Sequence, residues 1–128
     1  MKNILSVLVV SLFLFAKTTV AQTSDSIVNA LLAINESQYI NKPLDSIISV
    51  LPSGYTSMKI YGSRNTARAL MVTYPNKVWI ELHVREFTHM NPEDRTWTWN
   101  QTLMKKEKLY KSLIQKKDTC YRNCDIVR

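Results

Sequence analysis

One segment of the chain carries side chains suited to acid–base chemistry at a regular spacing of two. Trp79, Glu81, His83 and Arg85 alternate with apolar residues. In a strand they would share one face, with about 6.6 Å between successive members. A carboxylate, an imidazole and a guanidinium are the groups that proton transfer and anion stabilisation use. With His89 as a second imidazole, one interpretation is a small secreted, ribonuclease-like hydrolase that uses His83 with Glu81 and Arg85.

The same alternation is also typical of a strand face that serves structure alone. Charged residues on a wet face commonly form cross-strand pairs, each worth about 0.2–1 kcal/mol. We favour this interpretation over catalysis and assign no catalytic residue. As the functional alternative, Trp79, Glu81, His83 and Arg85 form a candidate binding face for a ligand or partner.

Several classes of functional site are excluded by the residues that the chain lacks. It has no phosphate-binding loop, no dinucleotide fingerprint and no HExxH zinc helix, and it contains only two glycines. Glu81, His83 and His89 are the remaining candidates for a metal site, but nothing in the sequence fixes how they are spaced in the fold. The sequence therefore predicts no cofactor and no metal.

The first 21 residues are predicted to be a signal peptide. Lys2 gives the start a positive charge, residues 4–16 are almost entirely apolar, and Thr19-Val20-Ala21 has small residues where the peptidase needs them. Lys17 ends the apolar run well before the roughly 20 residues that span a bilayer. We expect cleavage after Ala21 and a secreted or periplasmic protein. Residues 22–128 are enough for a single domain with one core.

Basic residues are concentrated at the end of the chain. The formal net charge is +7, and residues 105–128 hold eight basic and three acidic residues. A polyanion-binding surface is one interpretation. A solvated helix face is the other, and we favour it. Nucleic acid is disfavoured as a partner because the chain is predicted to be exported. The candidate basic patch comprises Lys105, Lys106, Lys108, Lys111, Lys116 and Lys117.

The two cysteines are predicted to form a disulfide. Cys120 and Cys124 are separated by three residues. The chain is expected to leave the cytoplasm for an oxidising compartment, in which disulfides persist. This spacing differs from that of a thioredoxin-type pair, and no third metal ligand lies nearby. So short a loop would contribute about 2 kcal/mol and would pin the end of the chain.

Two helices are predicted at the start of the mature chain. Thr23, Ser24 or Ser26 can cap the first, whose apolar residues recur at helical spacing as far as Ile34. The second opens at Asn41-Lys42-Pro43 and ends before Pro52. Its apolar face consists of Leu44, Ile47, Ile48 and Leu51.

Strands are predicted next, because the spacing of apolar residues changes from the helical period of about 3.6 residues to a period of two. We predict strands over residues 55–61, 67–74 and 77–87, with a tight turn at Pro75 that makes the last two a hairpin. A polar loop follows, and Asn100 can cap a further helix. That helix either continues to Lys117 or stops near Lys108, in which case residues 109–116 form a fourth strand.

This order predicts an α+β domain. Two N-terminal helices would pack on an antiparallel three- or four-stranded meander sheet, with a further C-terminal helix. The order over roughly residues 23–87, with Asn41-Lys42-Pro43-Leu44 at the start of the second helix, resembles the BamE-like lipoproteins of the bacterial envelope. The resemblance implies scaffolding or envelope partners rather than catalysis. Those proteins are lipidated on a cysteine, and no cysteine directly follows the apolar segment here.

The leading functional hypothesis is a non-enzymatic, exported binding or envelope-associated protein. Its partner would be an envelope or extracellular protein or a glycan. Two alternatives stay open. One is the hydrolase centred on His83. The other is a basic surface binder that works through residues 105–117.

Overall fold

A five-stranded antiparallel sheet, in which each strand pairs with the next along the chain, dominates the structure. The computed structural model describes residues 23–63, 66–93 and 99–127, so the predicted signal peptide lies outside the described residues. The strands are β1 (Ser57–Ser63), β2 (Thr66–Tyr74), β3 (Val78–Val84), β4 (Leu109–Lys116) and β5 (Thr119–Arg122).

The helices of the described residues are short. They are α1 (Ser24–Ala33), α2 (Leu44–Ile48) and α3 (Gln101–Met104), with two 3₁₀ turns at Glu36–Gln38 and Cys124–Val127. The predicted α+β fold, with two helices packed on a three- or four-stranded sheet and a C-terminal helix, is therefore wrong. The described part of the chain is mostly sheet, with five strands.

The predicted second helix is shortened at both ends, at its start by contacts that its own sequence does not show. Before it, the Asn41 N–H donates to the Leu109 carbonyl and the Leu109 N–H donates to the Lys42 carbonyl, each at 2.9 Å. These bonds hold the entry to α2 against the start of β4, where Pro43 and Lys108 form an isolated bridge. After Ile48 the backbone tightens, because the Leu51 N–H donates three residues back, to Ile48, at 3.2 Å. Such bonds close a turn and do not continue an α-helix.

The predicted C-terminal helix amounts to one turn, α3. Asn100 caps it as expected, since its Oδ1 accepts from the N–H groups of Thr102 (2.9 Å) and Leu103 (3.3 Å). Residues 109–116 then form β4, which is the strand alternative of the two that the sequence left open. The apolar pair Leu113 and Ile114 fits either structure, and pairing with β3 selects the strand.

Helix α1 is held at both ends by side chains. Thr23 accepts from the Ser26 N–H at 3.2 Å, which confirms a predicted cap. At the other end the Arg122 guanidinium of β5 donates to the carbonyls of Leu32 (3.1 Å) and Ile34 (2.9 Å). Carbonyls at a helix end otherwise have no partner in the helix, so β5 fixes the helix against the sheet.

Strand β3 separates the two faces of the sheet. Its residues alternate between buried and half-buried, as its period of two predicts. One face, called the inner face, packs with the helices into the core. The opposite, outer face carries Trp79, Glu81 and His83. The core residues of β3 are Val78, Ile80, Leu82 and Val84.

Three of the four strand pairs contain an extra residue. Pairing skips Arg68 in β2, Tyr110 in β4 and Tyr121 in β5. Such bulges bend a strand and re-aim its side chains. Opposite the first bulge, a Cβ on Gly62 would lie 2.0 Å from the Thr66 carbonyl oxygen, so only glycine fits at that position.

Candidate functional site

The outer face of β3 carries a row of three hydrogen-bonded side chains. Trp79 Nε1 donates to Glu81 Oε1 at 3.1 Å, and His83 Nε2 lies 2.8 Å from Glu81 Oε2. Alternation along one strand places all three on the same side. The carboxylate therefore joins the indole and the imidazole, with one oxygen for each.

This row lies in a partly apolar setting. In the strand register Glu81 is flanked by Met71 of β2 and Leu113 of β4, and Leu113 is fully buried. The side chains of Glu81 and His83 are only 14% and 12% exposed. Reduced contact with water strengthens hydrogen bonds between polar groups, so the row is more rigid than three exposed side chains would be.

Arg85 lies beside this row and not within it, because β3 has ended by then. Its guanidinium lies 5.2 Å from the centre of the Tyr110 ring, and Lys111 Nζ lies 5.4 Å from the same ring. Both are cation–π distances. The bulge at Tyr110 brings that ring between the two cations, which the strand period alone does not predict.

A shallow pocket of about 350 Å³ lies at this end of the sheet. It brings together His83 and Arg85 of the predicted face with Arg68 and Tyr110, which sequence reasoning missed. No signal in the sequence marks the last two residues, because both are bulged. We call it the arginine pocket. It is lined by Thr66, Ala67, Arg68, His83, Val84, Arg85, Phe87 and Tyr110.

A second depression, of about 520 Å³, lies at the opposite end of the outer face. Its walls include the Trp79 ring, Met71 and Lys77. The row from Trp79 to His83 thus connects two depressions, with an aromatic ring at one end and arginine side chains at the other. An elongated ligand is better suited to this arrangement than a compact one.

His89 has a carboxylate partner other than the one that holds His83. Its Nδ1 lies 3.3 Å from Oε1 of the fully buried Glu107. That carboxylate also accepts from the N–H groups of Thr88 (2.8 Å), Met90 (3.0 Å) and His89 itself. Burial alone would raise the pKa of Glu107, but these hydrogen bonds and the nearby imidazole together lower it below the usual 4.5.

The hydrogen bonds to Glu107 therefore order the loop that contains Thr88, His89 and Met90. His89 is part of that loop, and the structure gives it a structural role rather than one beside His83. Among the residues that the structure describes, no group of three or more His, Cys, Asp or Glu side chains is arranged to hold a metal ion.

The lysines of the candidate basic patch are spread along the length of β4. Lys105, Lys106 and Lys108 precede the strand, and Lys117 follows it. Lys116 forms an ion pair of 2.6 Å with Asp25. The hydrogen bond and charge of Lys116 lower the pKa of Asp25, and the same hydrogen bond raises the pKa of Lys116.

Lys111 belongs to the outer face and not to a separate basic surface. It is opposite His83 in the register, and its Nζ lies 3.4 Å from Asp125 Oδ2. A strand of eight residues spans roughly 25 Å. The lysines at the two ends of β4 therefore do not act as one cluster.

The predicted disulfide is confirmed. Cys120 and Cys124 are bonded, with their Cα atoms 5.7 Å apart. Between them, Asn123 adopts a positive φ of 51° and donates to the Ser112 carbonyl at 2.8 Å and to the Glu36 carboxylate. The bridge thus closes the turn whose asparagine connects β4 with the segment after α1.

No helix of the described residues is long and apolar enough to cross a membrane. Comparison of the chain with protein-family models, with curated proteins and with solved structures found no match in any of the three. The resemblance to the BamE-like lipoproteins therefore stays a prediction.

Proposed function

We propose that this is an exported, non-enzymatic binding protein whose ligand surface is the outer face of the sheet. The hydrogen-bonded row of Trp79, Glu81 and His83 is the observation that carries this proposal. Its partner is a molecule of the cell envelope or the extracellular space.

The use of the Glu81 carboxylate supports an ordered binding surface. One oxygen accepts from Trp79 and the other lies against His83. The carboxylate therefore holds an indole and an imidazole in fixed positions. Pre-ordered aromatic and polar side chains lose little entropy on binding, and tryptophan is enriched where binding energy is concentrated.

The disulfide and the pattern of residues 1–21 support export. Disulfides persist in oxidising compartments and are rare in the cytosol. Because the protein is exported, its ligand lies outside the cytoplasm. The two depressions at the ends of the outer face give such a ligand room to extend over the row.

The test compares capture by immobilised residues 22–128 with capture by Trp79→Ala/His83→Ala, using extracellular and envelope fractions. The matched control is Asn29→Ala/Leu32→Ala, two exposed residues of α1, which packs on the opposite face of the sheet. We expect the first variant to lose the captured species and the control to retain it. Equal capture by all three proteins would overturn the proposal, provided that each keeps a native circular dichroism spectrum.

A hydrolase is the second candidate, favoured by one specific observation. The 2.8 Å contact between His83 and Glu81 beside the arginine pocket is the geometry of an oriented general base near an anion site. For this function, His83→Ala must abolish turnover of a phosphodiester substrate while the fold stays native. Absence of turnover by the wild-type protein would remove this candidate.

A further inference from the structure

The arginine pocket exists because three strands diverge at one end of the sheet. The paired register of β2 and β3 ends at Ala69 and His83, and the Ala67 N–H donates instead to the Pro92 carbonyl at 2.9 Å. On the other side the register of β3 and β4 slips at the Tyr110 bulge. The space between the strands is floored by the buried Ala67 and Val84.

The polar groups of this pocket point to an anionic ligand. Arg68 and Arg85 are both exposed, and the pocket adds the imidazole of His83 and the hydroxyls of Thr66 and Tyr110. None of its described lining residues is acidic. A guanidinium presents a planar pair of N–H groups that matches a carboxylate.

The charged groups around the pocket leave its arginines available. Glu81 is engaged by His83 and Trp79, and Lys111 is paired with Asp125. Among the described residues, neither Arg68 nor Arg85 forms an ion pair. These two arginines therefore favour an anion.

The aromatic walls and the size of the pocket indicate a ring that carries this anion. Phe87 gives an apolar surface beside the arginines, and about 350 Å³ lies at the small end of ligand sites. An adjoining depression of about 530 Å³ shares Arg85 and Tyr110 and adds polar groups from Asn41 and Lys108 and the carboxylates of Glu36 and Glu86. Two adjoining sites suit an acidic unit followed by an uncharged unit of a chain.

We infer that the arginine pocket binds the carboxylate of an acidic sugar unit within an extracellular oligosaccharide. The carboxylate pairs with Arg68 and Arg85, the sugar ring packs on Phe87, and the next, uncharged unit occupies the adjoining depression. This inference rests on the proposed function, because it names the ligand class of the same outer face.

Calorimetric titration of residues 22–128 with a uronic acid-containing disaccharide tests the inference. The comparison ligands are the neutral disaccharide, acetate and a glutamate-containing tripeptide. We expect the acidic disaccharide to bind at least tenfold more tightly than each of these. Arg68→Gln and Arg85→Gln should each weaken its binding about tenfold or more. Lys116→Gln removes a charge from the helix side of the sheet, at the far end of β4, and should leave binding unchanged.

Equal binding of the neutral disaccharide would overturn the role of the arginines. Equal or tighter binding of acetate or of the tripeptide would overturn the sugar class. An equal loss in Lys116→Gln would show that general charge is responsible, and the inference would fail. If acidic sugars do not bind but capture still depends on Trp79 and His83, the inference fails while the proposed function stands.

Discussion

Glu81 and His83, two residues apart on β3, are joined by a 2.8 Å contact between Oε2 and Nε2. Their side chains are only 14% and 12% exposed, and Met71 and Leu113 flank the carboxylate. An apolar pair would be the simpler way to cover this part of the sheet. We therefore expect the polar pair to serve recognition rather than stability.

Leucine substitutions separate these two roles. In Glu81→Leu the Trp79 and His83 nitrogens lose their acceptor, and we expect the free energy of unfolding to fall by about 1–2 kcal/mol. In Glu81→Leu/His83→Leu the unpaired imidazole is also gone, so stability should return to within about 1 kcal/mol of the wild type. Urea denaturation measures both. A double variant less stable than the single one would show that the pair stabilises the fold.

Glu107→Gln should be strongly destabilising. The carboxylate is fully buried and accepts from the backbone N–H groups of Thr88, His89 and Met90, whereas an amide has only one acceptor oxygen. We expect a loss of about 2–3 kcal/mol in the free energy of unfolding. Glu93→Gln is the matched control, since Glu93 is exposed in the same loop. Similar losses in both variants would contradict this role.

The lowered pKa of Glu107 also predicts how stability depends on pH. Its folded-state pKa lies below the usual 4.5, so near that pH the unfolded chain binds more protons than the folded one. The stabilisation is therefore present above pH 4.5 and is lost as the pH falls through the folded pKa. Thermal melts between pH 7 and pH 3 should fall more steeply for the wild type than for Glu107→Gln. Parallel curves would refute this.

Tyr74→Phe should lower stability by about 1 kcal/mol. The Tyr74 hydroxyl donates to the Pro52 carbonyl at 2.8 Å, and the side chain is buried, with the Tyr55 ring edge-on at 6.3 Å. Denaturant unfolding measures the loss. Tyr61→Phe, on an exposed tyrosine, should have no effect and serves as the control.

Alkaline titration checks the same tyrosine. Burial, together with the nearby Tyr55, raises the pKa of Tyr74 from 10.0 to about 12. Its contribution to stability is therefore complete below pH 10 and is lost as the pH rises towards 12. Absorbance at alkaline pH should show one late-titrating tyrosine that is missing in Tyr74→Phe. An unchanged titration curve would disprove the assignment.

Reduction of the disulfide should cost about 2 kcal/mol in unfolding free energy, the amount expected for so short a loop. The bridge closes the turn in which Asn123 donates to Ser112 and Glu36. Urea denaturation with and without a reductant measures this cost. Cys120→Ser/Cys124→Ser should match the reduced wild type and should not respond to the reductant. A wild type of unchanged stability after reduction would contradict the prediction.

Local sequence patterns correctly predicted the elements whose apolar spacing or turn residues fit only one type of secondary structure. Thr23 caps α1 as expected, β3 alternates as expected, and the hairpin of β2 and β3 forms around Pro75. The disulfide followed from a spacing and an expected compartment. Each of these depends on neighbours within a few residues, so the sequence contains the relevant information.

The predicted fold class was wrong where backbone groups from distant parts of the chain form hydrogen bonds with a segment that has a helical pattern. Residues 41–45 donate to and accept from residues 105–109, and this pairing limits α2 to five residues. Residues 109–116 suit a helix or a strand, and the free edge of β3 decides between them. Neither contact is visible in a local period.

For the site, the sequence by itself determined one strand face and the order of Trp79, Glu81 and His83 along it. Tertiary structure added Arg68 and Tyr110, which β-bulges turn towards the same pocket. It also showed that His89 contacts Glu107 and that the lysines lie along the length of β4. The physical reason is that side-chain alternation is a property of one strand, whereas bulges and buried carboxylates depend on how separate strands and loops pair in space.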